Sequence, residues 1–161
     1  MADLQQFQIH GNEIGGTIPD IISALNNLEG IQLSRNLIQG MPTIHNQLKN
    51  NFYLKFNDLQ LIIYSAVHRS FFLIVGKIPK SIGFLHRLVG IHFESNELEG
   101  ALPSELGNLK LLKQMRLYHN NLTGKIPDEV CLLISEEELT YLGADCDDDG
   151  KVTCDCCTKC F

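Results

Sequence analysis

The chain has 161 residues and a formal net charge of −6, from 19 acidic and 13 basic side chains, and 44% of its residues are hydrophobic. This acidic balance excludes a nucleic acid partner, because nucleic acid binding requires a basic stripe that replaces the counterions along the phosphates. The length and the ordinary apolar fraction fit one folded domain with a continuous core.

The first residues carry no export or anchoring signal. They have neither the basic start nor the apolar run of a signal peptide. The longest apolar region, Leu59 to Val75, is interrupted by His68 and Arg69 and falls short of the roughly 20 apolar residues of a membrane helix. We therefore predict no membrane segment in this chain.

Three segments share one pattern at a period of 24 residues. The first starts at Leu4 and reads Leu-x-x-Phe-x-Ile-x-x-Asn-x-Ile-x-Gly-x-Ile-Pro. The other two start at Leu88 and Leu112, and a weaker copy, one residue shorter at Gly40-Met41-Pro42, starts at Leu28. The apolar places of this pattern point into one interior that a single repeat cannot cover, so the repeats must stack.

The stretch from Asn51 to Arg87 is longer than one repeat. It starts like a repeat, with Leu54 and Phe56 at strand spacing, and it ends like one at Gly76-x-Ile78-Pro79. We predict a unit here, third in chain order, with an insertion within about 57–73 that tucks against the convex side or adds a strand. A translated non-coding segment is the alternative interpretation.

Local patterns predict the form of each repeat. The alternation around Phe7-Gln8-Ile9 and Met115-Arg116-Leu117 has period two, which predicts short strands lying side by side in a parallel sheet. An asparagine ladder is expected to bond backbone groups left unpaired by the bend, and its column is Asn12, Asn36, Asn96 and Asn120. Glycines suited to tight bends follow at Gly16, Gly40, Gly76, Gly100 and Gly124. Prolines that help to exclude regular α-helix stand at 19, 42, 79, 103 and 127.

The recurring Asn-x-Leu-x-Gly-x-Ile-Pro string resembles the plant-specific class of leucine-rich repeats, found in receptor-like kinases, receptor-like proteins and secreted inhibitors of polysaccharide-degrading enzymes. The resemblance covers roughly Leu4 to Phe161 and is weaker between Asn57 and Leu73. It implies a leucine-rich repeat solenoid with a parallel β-sheet on the concave face and 3-10 helices, short helices or irregular structure on the convex side. Residues 1–130 would hold about five units, starting at Leu4, Leu28, Asn51, Leu88 and Leu112.

Residues 131–161 are predicted to form a cysteine-rich cap. All six cysteines lie there, at Cys131, Cys146, Cys154, Cys156, Cys157 and Cys160. An even number at the end of a solenoid predicts disulfides that close the last coil, in any of 15 pairings. The ending Cys-x-Cys-Cys-Thr-x-Cys-Phe also resembles the terminal caps of leucine-rich repeat proteins from algae such as diatoms. A zinc site is the alternative, but the adjacent Cys156 and Cys157 disrupt the usual paired-ligand spacing.

Two short motifs near the cap have separate interpretations. Asp145-x-Asp147-x-Asp149-Gly150 copies the first half of an EF-hand calcium loop, but Cys156 stands where that loop needs its bidentate glutamate. We interpret it as a solvated acidic turn. Asn121-Leu122-Thr123 is an N-glycosylation acceptor beside the ladder asparagine, which predicts a solvent-facing glycan on Asn121.

Ligand contact is predicted on the concave face, at the polar positions that flank the inward strand residues. Three columns cross the repeats there: Gln8, Gln32, Lys55, His92 and Arg116; His10, Ser34, Asn57, Glu94 and Tyr118; and Gly11, Arg35, Asp58, Ser95 and His119. The predicted contacts are Gln8, His10, Gln32, Ser34, Arg35, Lys55, His92, Glu94, Arg116, Tyr118 and His119. This mixed-charge face suits a protein, peptide or carbohydrate ligand, and a solvated face without a ligand is the alternative.

No catalytic residue is predicted. The histidines are spread over different coils, and no serine or cysteine is spaced to act as a nucleophile with one of them. Phosphate-loop and zinc-hydrolase strings are absent, so no cofactor and no metal are expected. His92 and His119, on neighbouring coils, are interpreted as an incidental surface pair.

The expected function is that of a non-enzymatic recognition scaffold, secreted or on the extracellular side of the plasma membrane. Three versions remain open: the ectodomain of a receptor-like protein or a fragment of one, a secreted inhibitor of a polysaccharide hydrolase, and a structural cell-wall or matrix protein. Because the repeats begin at Leu4 without a capping segment, we also expect the chain to be the C-terminal part of a longer array, or its start to be misassigned.

Overall fold

A computed structural model describes residues 3–12, 16–36, 75–147 and 151–161. Within these ranges the chain is a leucine-rich repeat solenoid, with short parallel strands on one side and 3-10 helices on the other. The fold predicted from the repeat pattern is confirmed. The predicted contact Lys55, the column positions Asn57 and Asp58, Gly40 and the insertion at 57–73 lie outside the described residues.

The strands are short, and most come from the two ends of each repeat pattern. In chain order they are β1 Gln6–Gln8, β2 Gly30–Gln32, β3 Val75–Gly76, β4 Gly90–His92, β5 Glu97–Gly100, β6 Gln114–Arg116, β7 Asn121–Leu122, β8 Gly124–Lys125, β9 Tyr141–Ala144, β10 Val152–Thr153 and β11 Lys159–Cys160. The main sheet has six parallel strands in the order β1-β2-β4-β6-β9-β11. A three-stranded sheet, β3-β5-β7, and a pair, β8-β10, lie elsewhere on the coils.

The other side of the solenoid carries one helix per coil. Three are 3-10 helices, at Asp20–Ala24, Lys80–Phe84 and Ser104–Asn108, and the fourth is the α-helix α1, Asp128–Ser135. Each helix follows a proline directly. The expectation that these prolines help to exclude regular α-helix is wrong at Pro127, which precedes α1. Proline is tolerated there because the first N–H groups of a helix have no partner inside it.

The strand of the second coil pairs directly with the strand of the coil that starts at Leu88. β2 pairs directly with β4, with Gly30, Ile31 and Gln32 opposite Gly90, Ile91 and His92. Most of the predicted unit beginning at Asn51 lies outside the described residues, and this unit stays a prediction. The Gly76-x-Ile78-Pro79 segment leads into a 3-10 helix that packs between those of the first coil and of the coil starting at Leu88. Leu28 and Leu88 are 60 positions apart in the sequence, which is 36 more than the period of 24.

The shared interior is built from repeated columns of apolar side chains. Leu28, Leu88 and Leu112 are buried at the start of their coils, and Ile31, Ile91 and Met115 are buried in the strands. In the first coil the corresponding residues Leu4, Phe7 and Ile9 are only partly buried. A coil inside the stack is therefore covered by a neighbouring coil on each side, whereas the first described coil is covered on one side only.

The predicted asparagine ladder is confirmed at Asn36, Asn96 and Asn120, and the last two join neighbouring coils. The prediction is wrong at Asn12, which is exposed and donates to His10 O of its own coil. Asn96 Nδ2 donates to the carbonyl of Phe93 in its own coil, at 3.1 Å, and to that of Leu33 in the coil before, at 2.9 Å. Asn120 Nδ2 does the same with Leu117 at 2.8 Å and Phe93 at 3.0 Å. Buried carbonyls that the bend turns away from the sheet obtain their partners in this way.

Removal of a buried ladder amide should weaken the whole stack. We expect Asn96→Ala to lower the free energy of unfolding by about 2 kcal/mol, because hydrogen bonds to carbonyls of two coils are lost from a site only 4% exposed. Asn12→Ala is the matched control, since Asn12 is exposed and donates only to His10 O; its effect should stay below about 0.5 kcal/mol. Urea denaturation followed by circular dichroism measures both, and equal losses would contradict the ladder's role.

Candidate functional site

The concave face, defined here as the side of the six-stranded sheet that points away from the core, is a regular grid. Residues two apart on a strand share a face. Gln8, Gln32, His92 and Arg116 stand opposite one another across β1, β2, β4 and β6. The column predicted from the sequence therefore lies side by side at the strand spacing of about 4.8 Å.

A second column continues the same face just beyond the strands. Backbone hydrogen bonds persist there, from Gly11 N–H to Ser34 O and from Arg35 N–H to Glu94 O, both at 3.0 Å. Ser34 and Glu94 are nearly buried, at 8% and 7% exposure, whereas His10 is exposed. The second column is thus partly enclosed, whereas the repeat pattern alone predicts that its side chains are open to solvent.

The third column marks where each coil leaves the sheet. Gly11, Arg35, Ser95 and His119 all have a left-handed backbone, with φ of 66°, 53°, 59° and 58°. This conformation costs a non-glycine residue roughly 1 kcal/mol. The exposed Arg35 and His119 side chains therefore lie at the rim of the grid.

Two cap strands extend the concave face beyond the repeats. β9 pairs with β6, placing Tyr141 opposite Gln114, and β11 pairs with β9, placing Lys159 opposite Gly143. Phe161, the residue after β11, stacks on Tyr118 with ring centroids 3.9 Å apart. Sequence reasoning treated the cap as a lid and missed these three side chains. The signal was present, because Leu139-x-x-Leu142-x-Ala144 repeats the spacing of Leu112-x-x-Met115-x-Leu117.

A shallow depression of about 260 Å³ lies near the start of the strands. Its floor includes Gly30 and Gly90, and its walls include Gln32, His92 and Gln114. A Cβ added at Gly90 would find His92 Nε2 at 3.8 Å as its nearest neighbour, so the space above this residue is open. The glycine at position 90 thus creates room on the face where the next coil carries a glutamine.

The surroundings of the polar side chains beside this depression determine their protonation states and hydrogen bonds. Burial lowers the pKa of His92 from its ordinary value of 6.5, and the positive charge of Arg116 lowers it further, so the imidazole is neutral at pH 7 and able both to donate and to accept. Arg116 donates from Nη2 to Gln114 Oε1 at 3.2 Å and lies over the Tyr141 ring at 5.6 Å. Burial, and then the charge of Glu94, raises the pKa of Tyr118, which keeps its hydroxyl protonated.

The cap is held by three disulfides, so the disulfide prediction is confirmed. The pairs are Cys131–Cys156, Cys146–Cys160 and Cys154–Cys157. Cys146, Cys154 and Cys157 form the one group of three or more possible metal ligands found among the described residues, with sulfur atoms within 4.8 Å of one another. All three sulfurs are engaged in disulfides, so none offers the thiolate that zinc requires.

Asp145 closes the last repeat turn. Its carboxylate accepts the backbone N–H of His119 at 2.7 Å and that of Asn120 at 3.0 Å. In the preceding coil the equivalent N–H groups, of Ser95 and Asn96, bond backbone carbonyls of the following coil. Asp145 therefore substitutes for a further repeat, a role that differs from calcium ligation; Asp149 and Gly150 of the half EF-hand motif lie outside the described residues.

The remaining predicted positions are not gathered into one site. His119 contacts the Tyr118 and Phe161 rings at 5.1 and 5.9 Å, whereas His92 belongs to the column of Arg116. Asn121 is exposed at the start of β7, and its glycosylation stays a prediction. None of the helices in the described part of the chain is long and apolar enough to span a membrane.

Comparisons with known proteins agree with this geometry. Residues 111–133 match the Leucine Rich Repeat family, and a search of curated proteins gave no match. The chain is similar to the ectodomain of the plant membrane receptor kinase GASSHO1/SCHENGEN3 from Arabidopsis thaliana, solved in complex with CASPARIAN STRIP INTEGRITY FACTOR 2; the identity is 26%, the TM-score 0.57, and the match covers 82% of this chain and 12% of that one.

Two further solved structures are similar to this chain. The plant peptide hormone receptor RGFR1, in complex with RGF2, is 28% identical over 89% of this chain and 21% of its own, with a TM-score of 0.54. A plant ice-binding protein shares the fold at 22% identity and a TM-score of 0.55, over 88% of this chain and 33% of its own. The chain spans 12% and 21% of the two receptor structures named here. It has the leucine-rich repeat fold, which generally serves as a binding scaffold.

Loss of the Asp145 carboxylate should destabilise the cap. We expect Asp145→Ala to lower the free energy of unfolding by about 2–3 kcal/mol, because two charge-assisted hydrogen bonds are lost. Asp147→Ala, at an exposed position two residues away, is the control and should change the free energy by less than about 0.5 kcal/mol. Denaturation with the disulfides intact provides the comparison, and a neutral Asp145→Ala would refute the substitution of Asp145 for a repeat.

Proposed function

We propose that the chain is an extracellular, non-enzymatic binding module that takes up a peptide along its concave face. The observation that carries the proposal is the depression above Gly90, set in a polar and aromatic grid that continues without interruption from the first coil into the cap. An extended peptide needs a long surface with hydrogen-bonding groups and room for side chains, and this face offers polar columns and one depression.

The chemistry of the face supports a peptide over a solvated surface. Neutral His92 and the protonated Tyr118 hydroxyl supply hydrogen-bonding groups, while Tyr118, Tyr141 and Phe161 supply aromatic area. Tyrosine and arginine are the residues most enriched at binding hot spots. The grid is already rigid, because neighbouring coils fix each strand, so little ordering is required on binding.

The likeness to plant receptors supports the same ligand class. One of the solved structures that the chain resembles is a peptide hormone receptor in complex with RGF2. The three disulfides support an oxidising compartment, where such bonds form and persist. The exposed Asn121 and its acceptor sequence agree with the secretory route.

The proposal predicts that a side chain placed at Gly90 blocks binding. Peptides selected on the folded chain from a phage-displayed library of linear sequences should bind Gly90→Gln about tenfold or more weakly, since even one lost contact of 1.4 kcal/mol has this effect. Gly90 lies outside the left-handed region and the space above it is open, so the fold should tolerate the change.

Ala24→Gln adds the same side chain at an exposed position of a convex 3-10 helix and is the matched control. It should bind the selected peptides like the unsubstituted chain. Equal binding to Gly90→Gln and to the unsubstituted chain would move the ligand site away from the concave face, and failure to select any peptide would contradict the proposed ligand class.

A further inference from the structure

Glu94 is a buried acid on the concave face, and one of its two carboxylate oxygens has no hydrogen-bond partner in the described part of the chain. It is two residues beyond His92 and so shares its face, and it is only 7% exposed. Its Oε2 atom is buried and has no hydrogen-bond partner. Its neighbours across the grid are Ser34 on one coil and Tyr118 on the other, by the register of β2, β4 and β6.

Among the described residues the carboxylate of Glu94 forms no direct ion pair, although the charges of Arg116 and Arg35 act on its neighbour Tyr118. Arg116, on the neighbouring strand, is instead bound to Gln114 and lies over Tyr141. A buried carboxylate oxygen without a hydrogen-bond partner is costly, and such a group in a native structure has a specific cause, of which a bound group is one.

An aromatic surface lies beside the acid. Tyr118 and Phe161 are stacked with an interplanar angle of 21°. Lys159 already lies over the Phe161 ring, with Nζ 5.7 Å from its centroid. The faces of aromatic rings attract cations and pack against the aliphatic stems of lysine and arginine. A carboxylate next to a stacked pair of rings thus suits a cation carried on an apolar stem.

We propose that Glu94 binds a lysine ammonium or arginine guanidinium of a peptide ligand, with the stem of that side chain lying on the Tyr118–Phe161 pair. This inference rests on the proposed function and specifies the charge of the ligand. A metal ion is a poorer occupant, because Glu94 belongs to no group of three possible metal ligands in the described residues. An acidic side chain would meet like charge.

The first test needs no ligand. If Glu94 is unmatched, Glu94→Gln keeps the shape and removes the charge, so the Tm of the full chain should stay the same or rise. Glu97→Gln, at an exposed position of β5, controls for the loss of one charge. A Tm for Glu94→Gln below those of both the unsubstituted chain and the control would mean that the carboxylate is satisfied internally, and it would overturn the inference.

The second test measures recognition of the cation directly. The probes are three blocked glycine pentapeptides whose central residue is arginine, citrulline or glutamate, titrated into the ¹⁵N-labelled full chain. The arginine peptide should shift the amides of Ser34, Glu94 and Tyr118 and bind about tenfold more tightly than its neutral citrulline counterpart. In Glu94→Gln this preference should disappear.

The outcomes separate this inference from the function on which it rests. If the three peptides bind the concave face equally, or if Glu94→Gln keeps the preference for arginine, the cation site is overturned while peptide binding stands. If no peptide shifts a concave-face amide, the cation site is overturned and the selection with Gly90→Gln decides the function alone. A glucosamine trimer that binds more tightly than the arginine peptide would overturn the assignment to a peptide side chain.

Discussion

No coil of this protein can satisfy its own backbone or cover its own interior, and the rest of the structure follows from that constraint. Strand N–H groups of one coil bond carbonyls of the next, and Asn96 and Asn120 carry the same connection through the bends. The apolar side chains of each interior column are shielded from water only by the neighbouring coil. The spacing between coils that satisfies the backbone also fixes the positions of the side chains on the concave face, where a ligand would lie.

The cap ends the series of coils in a way that serves the concave face as well. Asp145 replaces the carbonyls of a missing repeat, while β9 and β11 continue the sheet in register. A lid that only covered the core would leave the face as it was. This cap instead adds Tyr141 and Phe161 to the concave face. The last repeat is therefore followed by further strands, and its Tyr118 belongs to an aromatic surface shared with the cap.

The sequence predicted those features that depend on spacing within a repeat, and it failed where spatial neighbours are distant in the chain. Asparagine and glycine recur in phase because each coil makes the same bend, and Gly76, Gly100 and Gly124 indeed have φ near +80°. The direct pairing of β2 with β4 joins residues 60 positions apart, so spacing within a single repeat does not reveal it. The cap strands were not predicted, because the cysteines dominate the pattern of this segment and their pairing depends on three-dimensional proximity. The burial of Glu94 depends on side chains of other coils, so no local pattern reveals it.

The cap's place in the sheet is the central claim, and the disulfide map tests it most directly. Cys146 follows β9 and Cys160 lies in β11, so their bond forms only if these strands are adjacent. Proteolysis of the unreduced protein, with partial reduction to separate Cys156 from Cys157, followed by mass spectrometry, should give Cys131–Cys156, Cys146–Cys160 and Cys154–Cys157. Free thiols, or Cys146 bonded to any cysteine other than Cys160, would contradict the continuous concave face.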